Sequence, residues 1–226
     1  QISGKKKIAV IEDCLNADGL SPEVKSHMLE AIEKLKAEGH TIEYVSFPYL
    51  DYMVPCYYVL TTAEASSNLA RYSGLLYGHR SSEAHDLEST FKMSRTEGFG
   101  EEVKRRIMAG TFVLSSDHYD AYYTKAQKVR RVIQSETEKI LDNFDFILLP
   151  TTPSEAFKIG EKADDPIAMY LADIFTVQAP LAGLPAISIP TGQVESGMPF
   201  GLQLMEKHLD ENEMLKMSKY LFDLMK

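Results

Sequence analysis

Two short apolar runs, Lys7 to Glu12 (KIAVIE) and Thr41 to Phe47 (TIEYVSF), flank one amphipathic stretch. No other feature constrains the fold as strongly. The first run has the length and composition of a buried strand. The stretch between, Leu20 to Gly39, opens with Ser21 in N-cap position, Pro22 at the first helical position and Glu23 in the first turn, and Gly39 closes it. Met28, Ile32 and Leu35 fall on one face of that helix. The second run alternates Ile42, Tyr44 and Ser46 against Glu43, Val45 and Phe47, as a strand does. A strand, a helix and a strand over this length form a βαβ unit, so the two strands are expected to be parallel. Further strands are expected at Phe144 to Leu149, Ala186 to Ile189 and Phe200 to Met205, with a closing helix from Glu211 to Met225. The expected fold class is α/β: one domain over residues 1–226, built on a mixed sheet flanked by helices.

Between these strands the chain is mostly helical. Pro48 and Pro55 bracket a turn, and a helix follows through YYVLTTAEASSNLARY. Thr61, Thr62, Ala63, Ala65, Ser66 and Ser67 are all small, so its middle permits tight packing or leaves room for a ligand. Residues 73–98 read as a polar loop with a short helix from Glu83 to Met93. A helix pair comes next. Its first member starts near Gly100, with Glu101 and Glu102 favourably placed in the first turn. Val103, Ile107, Gly110 and Leu114 form its inner stripe, and Ala109 and Gly110 leave space for a close neighbour. Arg105 and Arg106 stand about 100° apart around the axis, so at least one points away from the most exposed face. The second member, from about Tyr119, repeats Tyr122, Ala126, Val129, Ile133 and Ile140. Later, Asp165 is expected to cap a helix beginning at Pro166.

Composition narrows the function. The 226 residues carry a net charge of -9, which argues against a broad nucleic-acid surface. Cys14 and Cys56 have neither metal-ligand spacing nor a disulfide framework, so reduced thiols and a cytoplasmic setting are expected. No apolar run has membrane-spanning length and no signal peptide is recognisable. The first residue is Gln1, which fits processing or a piece of a longer chain.

The common catalytic signatures are missing: no G-x-S-x-G elbow, P-loop, H-E-x-x-H or G-x-G-x-x-G. Ser66, Ser67, Ser115 and Ser116 lie on no Gly-rich turn and have no evident base nearby in sequence, so surface or packing roles are expected. Asp173 sits among Tyr170, Leu171, Ala172, Ile174 and Phe175. A carboxylate buried there would need a cationic or hydrogen-bonding partner, either an internal salt bridge or a ligand ammonium. Arg106, on a helix face with small residues, is suited to grip a carboxylate with two parallel hydrogen bonds. One anion and one guanidinium together would suit a zwitterion, such as a free amino acid.

Several longer stretches carry a resemblance. SRTEGFGEEVKRRIMAGTFVLS, HYDAYYTKAQKVRR and LAGLPAISIPTGQVESGMPFGLQLM, with YYVLTTAEASSNLARYSGLLYGHRS upstream, resemble the amidase signature family. Within it, EGFGEEVKRRI and EASSNLARY resemble the glutamine-hydrolysing branch that supplies ammonia to tRNA-dependent amidotransferases. The resemblance runs from about residue 5 to the end. It implies part of the amidase signature fold and a glutamine pocket in which Tyr57, Arg106 and Asp173 hold the substrate. Arg106 would take the α-carboxylate and Asp173 the α-ammonium; Tyr58 competes with Tyr57 for the tyrosine role.

The family acts through a Ser–cis-Ser–Lys triad on a Gly/Ser-rich segment, and nothing like that segment is present. By resemblance the chain is the C-terminal portion of the amidase domain. No catalytic residue or metal ligand is assigned within it, and it is expected to be inactive alone. The implied partners are glutamine, the amidotransferase B and C subunits, and tRNA through the complex rather than this chain, with no membrane. ATP and Mg would be used in the partner subunit. The alternatives are half of another amidase and a non-catalytic binding or assembly module. Two departures from the family pattern are Asp117-His118, where Gly-Tyr is usual, and Glu206, where glycine is common.

Overall fold

The computed structural model describes residues 2–160, 169 and 171–226. These fall into two compact units, one of residues 1–54 and 130–226 and one of residues 55–129. The helix expected at Asp165 and Pro166 lies outside the described residues.

The first unit contains the sheet. Strand β1 (Lys7–Ile11) leads through the one-turn helix α1 (Glu12–Leu15) and helix α2 (Pro22–Ala37) to β2 (Thr41–Val45). The βαβ reading holds, because β1 and β2 pair in parallel from Lys7 opposite Thr41 to Ile11 opposite Val45. The α2 stripe behaves as its spacing requires: Met28, Ile32 and Leu35 are fully buried. Pro22 occupies the first turn, and Gly39 just past the helix adopts φ +85°, a conformation glycine takes without strain. Ser21 marks the N-cap, but its side chain makes no capping bond. Strand β3 (Phe146–Pro150) adds in parallel on the other side of β1. After the short helix α7 (Gln178–Ala182), strands β4 (Ala186–Gln193) and β5 (Pro199–Met205) form an antiparallel pair, and β5 joins β3 antiparallel. The order is β2-β1-β3-β5-β4, a mixed sheet. Strand β4 extends beyond the four residues expected, through an irregularity between Pro190 and Gly192.

One face of the sheet presents Ile8, Val10, Phe146, Leu148, Leu202 and Leu204 to α2 and to helix α8 (Glu211–Leu224), whose Met217 and Leu221 complete the cluster. Ala9, Ile11, Ile147 and Leu149, on the other face, are equally buried. Runs such as IAVI and FILL are apolar at every position because both faces are covered.

The second unit is helical. The chain enters it inside α3 (Leu50–Leu69) and leaves it inside α6 (Lys125–Leu141). Pro55, expected to bracket a turn, lies within α3. It sits so near the start that its missing N–H removes only an early helical bond. Helix α4 (Leu87–Gly98) starts later and ends later than expected. Its start is set by a capping box: the Asp86 carboxylate accepts from Ser89 N, and Asp86 N donates to Ser89 Oγ. Helix α5 (Glu101–Val113) follows with Gly100 at its N-cap. A π-helical turn, Asp120–Thr124, precedes α6. Ala126 and Ile133 are buried as expected, but Tyr122 is exposed. The wider π turn shifts the phase of the residues before Lys125 off the stripe that follows.

Candidate functional site: the α3–α5 helix pair

The small-residue segment of α3 has a packing purpose. A Cβ added to Gly110 of α5 would lie 2.0 Å from the Thr62 carbonyl oxygen and 2.7 Å from Ser66 Cβ. The two helices therefore meet backbone to backbone at that point. Ser66 Oγ lies 3.0 Å from Thr111 Oγ1 across the same contact. Thr61 and Thr62 turn their hydroxyls back onto the Tyr57 and Tyr58 carbonyls at 2.8 and 2.6 Å, so both donors are satisfied within α3.

This approach brings Tyr58 and Arg106 together. The Arg106 guanidinium lies 5.5 Å from the centre of the Tyr58 ring, within cation–π range. Tyr57 meets Tyr58 edge to face, with centroids 5.6 Å apart. Arg106 Nε donates to Glu102 Oε1 at 3.0 Å, one helical turn back. Arg105 Nη1 donates to the other oxygen, Oε2, of the same carboxylate. Of the two arginines Arg106 is the less exposed, 40% against 59%, as their angular separation requires. Sequence reasoning places Glu102 in the first turn but misses its pairing with Arg106, although the i,i+4 spacing is a usable signal.

Asp173 belongs to the other unit and departs from expectation. It is exposed, not buried. Residues 172–176 form turns, so Phe175 and Val177 point inward at 0% and 2% exposure while Asp173 faces solvent. Its carbonyl accepts from Thr176 N and Oγ1, both at 2.9 Å.

The serines also need one correction. Ser115 has a base close by: His118 Nδ1 lies 3.0 Å from its Oγ. Ser115 Oγ also donates to the Phe112 carbonyl at 2.7 Å. Its proton is thereby engaged, and His118 stacks on Phe112 at 4.0 Å. This arrangement ends α5; it does not present an activated nucleophile.

In the first unit a cleft of about 380 Å³ opens beyond the carboxyl ends of β1 and β2, edged by Glu12, Asp13, Asp18 and Asp51. None of the residues named for the glutamine pocket lines it. Among the described residues no group of three or more His, Cys, Asp or Glu side chains is placed to hold a metal ion. No helix among them is long and apolar enough to cross a membrane.

A five-stranded mixed sheet flanked by helices is also the fold of a solved amidase, which superposes with a TM-score of 0.74. The amidase family profile matches residues 1–215, and the chain belongs to that family. It is 51% identical over 212 residues to the glutamyl-tRNA(Gln) amidotransferase A subunit of Koribacter versatilis, covering 94% of this chain and 44% of that one. With the corresponding protein of Staphylococcus epidermidis the identity is 50% over 217 residues, covering 96% and 44%. The chain thus spans less than half the length of these relatives. The crystal structure of the Thermotoga maritima amidotransferase A subunit superposes with a TM-score of 0.68 at 41% identity, covering 92% of this chain and 40% of that one. A 6-aminohexanoate cyclic dimer hydrolase superposes with a TM-score of 0.76 over the whole chain and 46% of its own length. At 18% identity that likeness shows the fold alone.

Proposed function

We propose that this chain is the substrate-binding part of a glutamine-hydrolysing subunit that supplies ammonia for converting Glu-tRNA(Gln) to Gln-tRNA(Gln). The observation that carries the reading is the identity of about half with the amidotransferase relatives across nearly all of the chain. Arg106 binds the glutamine α-carboxylate, Asp173 its α-ammonium, and Tyr57 or Tyr58 contacts the bound substrate. Asp173 is exposed and needs no buried partner, so its role in the pocket rests on the resemblance alone. The serine nucleophile and its Ser–Lys partners come from the part of the relatives' length that this chain does not span. Glutamine hydrolysis then runs through an acyl-enzyme, and the released ammonia passes to the B subunit, which uses ATP and Mg to activate the misacylated tRNA. The C subunit holds the other two together, the tRNA is met through the complex, and the whole works in the cytoplasm.

The test is glutamine hydrolysis by the intact amidotransferase carrying Arg106→Ala. Loss of a charged bidentate contact is worth about 2 kcal/mol, or about 30-fold in KM for glutamine. An unchanged KM would reject the pocket. The 226-residue chain by itself is expected to release no ammonia from glutamine, and release would place a nucleophile within it.

A further inference from the structure

The Arg106 guanidinium is anchored at its inner edge. Glu102 Oε1 accepts from Nε at 3.0 Å and the Tyr58 ring lies 5.5 Å from the guanidinium carbon. A carboxylate bonded at Nε fixes the guanidinium plane, while the distal edge, Nη1 and Nη2, has the spacing that matches the two oxygens of a second carboxylate. Arg105 donates to the second oxygen of Glu102, so one carboxylate is shared between two guanidiniums.

From this geometry we propose that Glu102 is a positioning residue for Arg106, with Arg105 as its counter-charge. Glu102 sets the orientation of the guanidinium that receives the substrate α-carboxylate and does not itself touch substrate. The inference rests on the glutamine-pocket reading above. Glu102, Arg105 and Arg106 are all partly solvent-exposed, so the coupling is modest.

The test compares two substrates in the intact amidotransferase: glutamine, and a primary amide of similar length without the α-carboxylate. Glu102→Ala is expected to raise KM for glutamine about 5-fold, the upper range for an exposed pair, with kcat little changed. KM for the carboxylate-free amide stays at the wild-type value. Glu102→Gln keeps an oxygen for Nε and recovers part of the loss. An equal rise for both substrates would mean a merely structural role and overturn the proposal. So would an unchanged glutamine KM in Glu102→Ala alongside a raised one in Arg106→Ala; the pocket reading then survives without this inference. An unchanged KM in Arg106→Ala removes the pocket reading and this inference with it.

Discussion

Gly110→Ala separates two physical effects of opposite sign. In an exposed helix interior the change would stabilise the protein by up to about 1 kcal/mol, because glycine is the poorer helix former. At this position the new methyl would stand 2.0 Å from the Thr62 carbonyl oxygen, where ordinary contact begins at 3.4 Å. Restoring contact requires α3 and α5 to part by about 1.4 Å, the difference between those distances. The atom met is backbone, so no rotamer change relieves the clash. Separating the helices also opens the Ser66–Thr111 contact and moves Tyr58 from under Arg106. Overpacking of this kind costs about 1–3 kcal/mol, which outweighs the propensity gain and lowers the melting temperature by a few degrees. The measurement is differential scanning calorimetry of the wild type and Gly110→Ala, with glutamine KM of the intact enzyme followed in parallel. A variant that melts at or above the wild-type temperature would refute the close packing, and with it the reason for the small residues in α3.

Three further outcomes are expected. Burial, with Asp210 and Glu213 nearby, pushes the Glu206 carboxyl up from 4.5 to about 8, and its Oε2 has no hydrogen-bond partner among the described residues. A folded acid with a raised pKa loses stability as pH rises between those values, by as much as about 5 kcal/mol in total, so urea titrations should show that slope and Glu206→Gln should flatten it. His40 is buried, its pKa is lowered by burial and then by Lys5, and its Nδ1 accepts from Lys6 N at 3.1 Å. It therefore contributes stability that is lost as pH falls through the ordinary histidine range, and His40→Ala, which orphans that N–H, should cost about 1–3 kcal/mol in the same titrations at pH 7. Burial also raises the Cys14 thiol to about 12, so a colourimetric thiol reagent at pH 8 should leave Cys14 unmodified until the protein unfolds.

Much of this protein could be read along the chain, because the signals were local. The β1–α2–β2 unit followed from two apolar runs, a proline and a glycine. Gly110 and the small residues of α3 pointed to a close approach before any partner was known. The helical angle between Arg105 and Arg106 showed that at least one is turned from the most exposed face, and the resemblance chose Arg106.

Other features required atoms distant in sequence. Tyr58 and Arg106 are 48 positions apart, and only the packing of α3 on α5 sets one over the other. Asp173 looked buried because its neighbours are apolar, but turns at 172–176 break the helical phase and turn it to solvent. Tyr122 left its stripe for a similar reason, at a π turn that no periodicity announces. Glu206 reads as an ordinary charged residue after a strand, yet it is buried, its N–H bonded to the Pro185 carbonyl and its carboxyl within reach of the charges of Asp210, Glu213, Lys6 and Asp145. The sequence by itself determined which segments are strands and helices, since that depends on neighbours a few residues apart. The tertiary structure decided which side chains meet and which lose water, since those depend on the three-dimensional path that returns distant segments to one place.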